Sequence, residues 1–190
     1  MKVYINPGHD LEYDSGAIHT DGNGDVDLRE CDVAYAIGNR VRNYLEDAGC
    51  DVHLLQSDSL IDEPDNRADR PVSVVNDAND WPADLFVSIH CDACVSHEAR
   101  GTSCLVYSPF GEAAKLAEKI QKQIVDSVGT EDRGIVPRPG LIVLNSTDMP
   151  AVLVETAFID NDEDAALLIE REDDFARAIA RGITDYIQGV

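Results

Sequence analysis

Leu85-Phe86-Val87-Ser88-Ile89-His90, framed by Trp81-Pro82-Ala83-Asp84 before it and Cys91-Asp92-Ala93 after it, is a short apolar run between turn-forming residues. That pattern reads as a buried central strand that delivers its last residue, His90, into a cleft. Two other runs behave alike: Ala151-Val152-Leu153-Val154-Glu155 ends on a carboxylate, and Lys2-Val3-Tyr4-Ile5-Asn6 stops just before Pro7-Gly8-His9. In open α/β sheets, ligands bind in the crevice beyond the carboxyl ends of the strands. Three strands ending on or beside ionisable groups therefore define a candidate site.

Working outward, the stretch from Pro7 to Leu28 is rich in Gly and Asp and reads as a long loop. From about Asp27, Val33, Ala34, Ile37, Val41 and Leu45 repeat on one helical face, with Gly49 as C-terminal cap. Asp51 to Leu55 is a strand, Ser57 to Arg70 is polar and turn-rich, and Val72 to Asn79 supports a helix. Gly101 to Tyr107 is another strand. Ser108-Pro109 has the order that opens a helix, followed by Ala113, Leu116, Ala117, Ile120 and Ile124 on one face. Residues 129–141 read as a Gly/Pro-rich, basic-tinged loop, and Ile142-Val143-Leu144 as a short strand. Asn161 can cap a helix through Leu168, and Asp173 or Asp174 a last one ending near Tyr186. Strands alternating with helices predict one α/β domain over residues 1–190, a single twisted sheet, mostly parallel or mixed, with helices on both faces.

Composition narrows the partners. The 190 residues are 44% hydrophobic and 27% charged, ordinary for a globular chain, but the formal net charge is −22. Such a surplus repels polyanions and argues against nucleic-acid partners and acidic membrane surfaces. The five cysteines follow no disulfide framework, and Cys91-x-x-Cys94 lacks the second pair of a zinc ribbon, so free thiols are expected. The chain opens on a strand, with no signal-peptide pattern and no run of membrane-spanning length. It is expected either to stay in the cytoplasm until released or to be part of an exported protein, without membrane insertion.

Taken singly, each candidate residue has an ordinary structural role. His9 can be an exposed loop residue, His90 a hydrogen-bonded core histidine, and Glu30, three residues after Asp27, half of a capping box. A carboxylate at Glu155 is harder to explain away, being unfavourable to bury unless paired, liganded or facing water. Together, two imidazoles and a carboxylate suit a zinc shell with one open position, and the remaining carboxylate can act as general base on water. Among competing histidines, His53 sits in a strand and packs, while His19 and His97 lie in polar loops and read as exposed.

Asn6-Pro7-Gly8-His9, Ser15-Gly16-Ala17, Glu30 opening a helix, Ala83 to His90 and Pro150 to Asn161 also form an ordered set of motifs. With Asn79, Gly101 and Arg133-Gly134 they resemble, over essentially the whole chain, the zinc-dependent N-acetylmuramoyl-L-alanine amidases of the type 3 catalytic domain. The resemblance implies one Zn2+ held by His9, Glu30 and His90, with Glu155 as the catalytic carboxylate. It further implies a cell-wall enzyme that cleaves the amide joining the lactyl group of N-acetylmuramic acid to the L-alanine of the peptidoglycan stem peptide, working as a monomer. Arg133 and Arg138 are candidates to meet stem-peptide carboxylates. The chain departs from the usual pattern at Asn6, where the family has Asp, at Asp10, at Cys91-Asp92 and at Ala157. Cys91 next to a ligand would be a mis-metallation liability. The rival readings are another zinc hydrolase, a peptidase or deacetylase, and a non-catalytic wall-binding module.

Overall fold

A computed structural model describes residues 1–61 and 72–190, so most of the polar stretch from Ser57 to Arg70 lies outside the described residues. The elements in chain order are β1 (Lys2–Pro7), β2 (Ile18–Thr20), β3 (Val26–Arg29), α1 (Glu30–Asp47), β4 (Asp51–Leu54), α2 (Val74–Asp80) and β5 (Leu85–Asp92). They continue as β6 (Thr102–Val106), α3 (Glu112–Val128), β7 (Asp132–Pro137), α4 (Ile142–Asn145), β8 (Ala151–Phe158), α5 (Asp162–Glu170) and α6 (Glu172–Gln188). Six strands form one sheet in the order β4-β1-β5-β8-β6-β7. β4, β1, β5 and β8 run parallel, and β6 meets β8 antiparallel, so the sheet is mixed and mostly parallel.

The period-2 alternation of the strands divides the core between two layers. Val3, Ile5, Leu85, Val87, Ile89, Val152 and Val154 face α1, α3 and α6 in the larger layer. Tyr4, Phe86, Leu105, Ala151 and Leu153 face the other way, against Val74, Val75 and Ala78 of α2 and Val143 and Leu144 of α4. His90 and Glu155 fall in the second phase and are direct register partners on neighbouring strands. α1 ends in a Schellman motif: Gly49 N–H donates to the Glu46 carbonyl and Cys50 N–H to that of Leu45, with Gly49 at φ 85°.

Several sequence expectations are corrected. The Pro7-to-Leu28 stretch contains the antiparallel hairpin β2–β3, hidden from pattern reading because Ile18 and Val26 are exposed. α1 begins at Glu30, not Asp27, and no capping box forms. Asp27 belongs to β3, and the first helical N–H groups, of Glu30 and Cys31, donate instead to the carbonyls of Ala17 and Ser15. Ser108 makes a local turn with Phe110 N–H, and α3 starts later, after Gly111. Residues 129–141 contain the edge strand β7, ending on Pro137, where an absent N–H is tolerated. Ile142-Val143-Leu144 is a helical turn. β5 and β8 continue past His90 and Glu155 to Asp92 and Phe158, so neither residue ends its strand. Asn161 does cap α5, accepting from Glu163 and Asp164 N–H, whereas Asp173 and Asp174 lie inside the first turn of α6.

Candidate metal and catalytic site

At the end of β1, Gly8 N–H donates to the Ile89 carbonyl at 2.8 Å, tying the loop to β5 and carrying His9 over the sheet edge. Two glycines make room for the approach. A Cβ on Gly8 would lie 2.2 Å from the His90 ring, and one on Gly16, at φ 65°, would lie 2.5 Å from Glu30 Oε2 and 2.6 Å from the His9 ring. His9 itself adopts φ 62°, an uncommon conformation for a residue with a side chain and one that clusters at functional sites. Glu30, 3% exposed, enters from the first turn of α1.

These elements bring His9, Glu30 and His90 together. Glu30 Oε1 lies 3.0 Å from His9 Nε2 and 2.9 Å from His90 Nδ1, and the two imidazoles meet edge to face at 5.0 Å. Backbone donors fix the carboxylate, Cys91 N–H on Oε1 at 3.0 Å and Ala17 N–H on Oε2 at 2.9 Å. The far nitrogen of His9, Nδ1, is 2.8 Å from Asp14 Oδ2, and Asp14 is held by Gly16 N–H. Burial opposes charge at both His9 and Glu30, but the hydrogen bonds prevail. They raise the His9 imidazolium to about 9 and, with His90, hold the Glu30 carboxyl down to about 2.

Glu155 sits in a different environment. Half-buried beside His90, with Ser103 of β6 as its partner on the other side, it has one oxygen, Oε2, sealed from solvent with no hydrogen-bond partner among the described residues. Burial, reinforced by the charges of Asp92 and Glu30 and opposed by His9, pushes its carboxyl up to about 8. Two cavities flank the group. One of about 170 Å³ is lined by His9, His90 and the apolar Leu60, Ile142, Val143 and Leu153; the other, about 370 Å³, is lined by Glu155, Asp92, Arg133 and Arg138.

Donor chemistry and spacing both fit a small dication. One ligand atom from each of His9, Glu30 and His90 lies within 4.8 Å of the others, the set is three-membered and open to a cavity, and Asp14 gives His9 the outer carboxylate that metal-bound histidines commonly have. Asp14, Gly8 and Gly16 are residues whose roles here the sequence does not announce. Asp10 is the acid that the sequence places beside His9, yet its carboxylate is spent on the N–H groups of Glu12 and Tyr13, and the turn it makes returns the chain so that Asp14 faces the imidazole. Other expectations change too. His19 is largely covered, clamped between Asp27 and Asp162, and the Cys91 thiol is buried against Thr156, in a cluster that belongs to the larger core layer rather than to the metal ligands. All five cysteines are free, His97 is exposed, and His53 packs on Tyr4 and pairs with Asp77.

A family model described as N-acetylmuramoyl-L-alanine amidase matches residues 3–185. The chain is 37% identical over 188 residues to N-acetylmuramoyl-L-alanine amidase LytC of Bacillus subtilis (strain 168), a match covering 97% of this chain and 35% of LytC. It is 38% identical to the uncharacterized protein YqiI of the same organism, covering 97% of this chain and 84% of YqiI. Its fold matches that of N-acetylmuramoyl-L-alanine amidase AmiC2 of Nostoc punctiforme with a TM-score of 0.83 at 31% identity, over 99% of this chain and 97% of that one. The chain thus spans about a third of the length of LytC and most of YqiI.

Proposed function

This chain belongs to the N-acetylmuramoyl-L-alanine amidase family, and from that premise we propose that residues 1–190 are a monomeric catalytic domain that acts on the cell wall. Its reaction is hydrolysis of the amide between the lactyl group of N-acetylmuramic acid and the L-alanine of the peptidoglycan stem peptide. His9, Glu30 and His90 hold zinc, and Glu155 is the general base. The observation that carries this reading is the pairing of a convergent His-Glu-His set with a half-buried carboxylate, one oxygen of it sealed without a partner among the described residues, at the neighbouring register position.

Zinc bound there supplies a Lewis acid for the amide carbonyl and brings the pKa of a water down to about 7. The chain supplies the rest. The Glu155 carboxylate, whose sealed oxygen no hydrogen bond engages, accepts a proton from the attacking water and returns it to the nitrogen of L-alanine as the carbon–nitrogen bond breaks. Burial makes this carboxyl more basic than an ordinary one in the metal-free chain, and a dication held by the neighbouring ligands would favour its ionised, proton-accepting form. Asp14 holds the His9 ring, and the N–H groups of Cys91 and Ala17 hold Glu30, so the donors are placed before substrate arrives. No helix among the described residues is long and apolar enough to cross a membrane.

Digestion of purified peptidoglycan, followed by mass spectrometry, tests the reading. Stem peptides with a new L-alanine amino terminus and uncut glycan strands are expected, from protein carrying about one zinc per chain that His9→Ala or His90→Ala releases. Cuts within the stem would make the protein a peptidase, and deacetylated sugars with stems attached a deacetylase. Wall binding without any product would make it a binding module.

A further inference from the structure

On the β6–β7 side of Glu155 the 370 Å³ cavity forms a trough along the sheet, within the ~300–1,000 Å³ range of small-ligand sites. Arg133 and Arg138 are its cationic lining residues. Most other arginines among the described residues are tied to carboxylates, as Arg29 is to Asp32, Arg40 to Glu172, Arg100 to Glu163 and Arg181 to Asp185, with Arg42 an exception. Among the described residues, Arg133 and Arg138 are in no ion pair. The Arg133 guanidinium donates to the Arg100 carbonyl at 3.2 Å and lies 4.9 Å over the Phe158 ring, while that of Arg138 donates, among the described residues, only to the Pro137 carbonyl at 3.3 Å. Most of the N–H groups of both forks are left for a ligand.

The acids of the trough do not use those donors. Asp132 accepts from Gln121 and from Gly134 N–H, Asp92 from Ala93 N–H, Glu131 is exposed, and Glu155 is committed to proton transfer. Among the described residues, the cavity on the other side of the metal ligands is lined by Leu60, Leu141, Ile142, Val143 and Leu153 with the carboxylates of Asp14 and Asp58, and by no cation except the histidines. A substrate with carboxylates on one arm of its scissile amide and a sugar on the other is therefore oriented with its peptide toward the arginines.

We infer that this trough is the stem-peptide subsite and that Arg133 and Arg138 select stems whose second-position glutamate keeps a free carboxylate over stems in which that group is an amide. The inference rests on the amidase reading and deepens it. A guanidinium fork binds a carboxylate through two parallel charged hydrogen bonds, whereas a carboxamide offers one acceptor and no charge.

The test is calorimetric binding of two free stem tripeptides, identical but for acid or amide at the second position, to the purified chain. The acid should bind about fivefold tighter, the effect of a partly exposed ion pair, and the ratio should shrink with added salt. In Arg133→Gln/Arg138→Gln the ratio should fall toward one at unchanged zinc content, and each single variant should lose part of it. With the matching muropeptides as substrates, the loss should appear in KM rather than kcat. Equal binding by the parent, or a ratio that survives in the double variant, would overturn the inference. If neither muropeptide is cut, it is the amidase reading that fails, and the binding ratio still decides this one.

Discussion

Glu30 and Glu155 carry the same functional group in opposite conditions, one held down to about 2 by two imidazoles and the other pushed up to about 8 by burial. Their neutral replacements should separate accordingly. Glu30→Gln should lose zinc, because an amide is a poorer ligand for a dication; Glu155→Gln should keep zinc and lose turnover by about a hundred- to ten-thousand-fold. Metal analysis and single-turnover rates read both, and zinc lost only from the Glu155 variant would exchange the roles. Stability should move the other way. In the metal-free protein the folded Glu155 holds its proton up to about 8, while the unfolded chain releases it near 4.5. Stability from this group therefore falls as pH rises between those values. Metal-free Glu155→Gln should match the parent near pH 4 and exceed it by on the order of a few kcal/mol near pH 8. Thermal melts across that window decide it, and parallel curves would refute the burial argument. His9, Glu30, His90 and Glu155 could be singled out as candidates from sequence because apolar runs lead up to His90, Glu155 and, through Pro7-Gly8, His9, and because the motif resemblance includes Glu30. Asp14, Gly8 and Gly16 could not, because their roles depend on how one loop folds back on His9.

At the scale of elements, the close approach of α3 and α6 is set by Gly182 of α6, where a Cβ would lie 2.5 Å from the Ile120 Cα of α3. Gly182→Ala adds roughly 1 kcal/mol of helix propensity, but the obstacle is backbone and cannot rotate away. Parting two packed helices costs about 1–3 kcal/mol and loosens the burial of Phe175, Ile179 and Ile183 around it. The net effect should be a melting temperature lower by several degrees, with zinc content per folded chain unchanged; a higher melting temperature would mean that α3 and α6 can separate freely. α6, α3 and α1 were legible because each carries a long apolar face at helical spacing, and β1, β5 and β8 because buried strands read as continuous apolar runs. What was not legible is short or exposed. The β2–β3 hairpin lies off the main sheet and is pinned through His19 to Asp162, 143 residues away in sequence. β7 is an edge strand broken by Gly and Pro, and the three apolar residues of α4 suit a strand or a helical turn equally until α4 is seen packed over Leu153.

For the whole molecule the governing property is a net charge of −22, and it acts at a different range from the arginines of the trough. At about 0.01 M salt the Debye length is roughly 30 Å, so a wall carrying phosphate-rich polymers meets the charge of the entire chain and approach is opposed; at about 0.15 M it is roughly 8 Å, and only groups in near contact still interact. Arg133 and Arg138 act at contact distance, and their attraction for a small soluble stem peptide weakens over the same interval. The two substrates should therefore respond to salt with opposite signs. Initial release of stem peptides from polymer-bearing walls should rise several-fold between those ionic strengths, as long-range repulsion is screened. Binding of the small acid-bearing peptide should weaken. Walls stripped of their phosphate polymers provide the control that isolates the long-range repulsion, since most of the salt-induced gain should vanish with the polymers. Release rates that fall with salt on both kinds of wall would show that contact electrostatics govern encounter as well as selection, and that the acidic surface of this chain has no part in how it reaches its substrate.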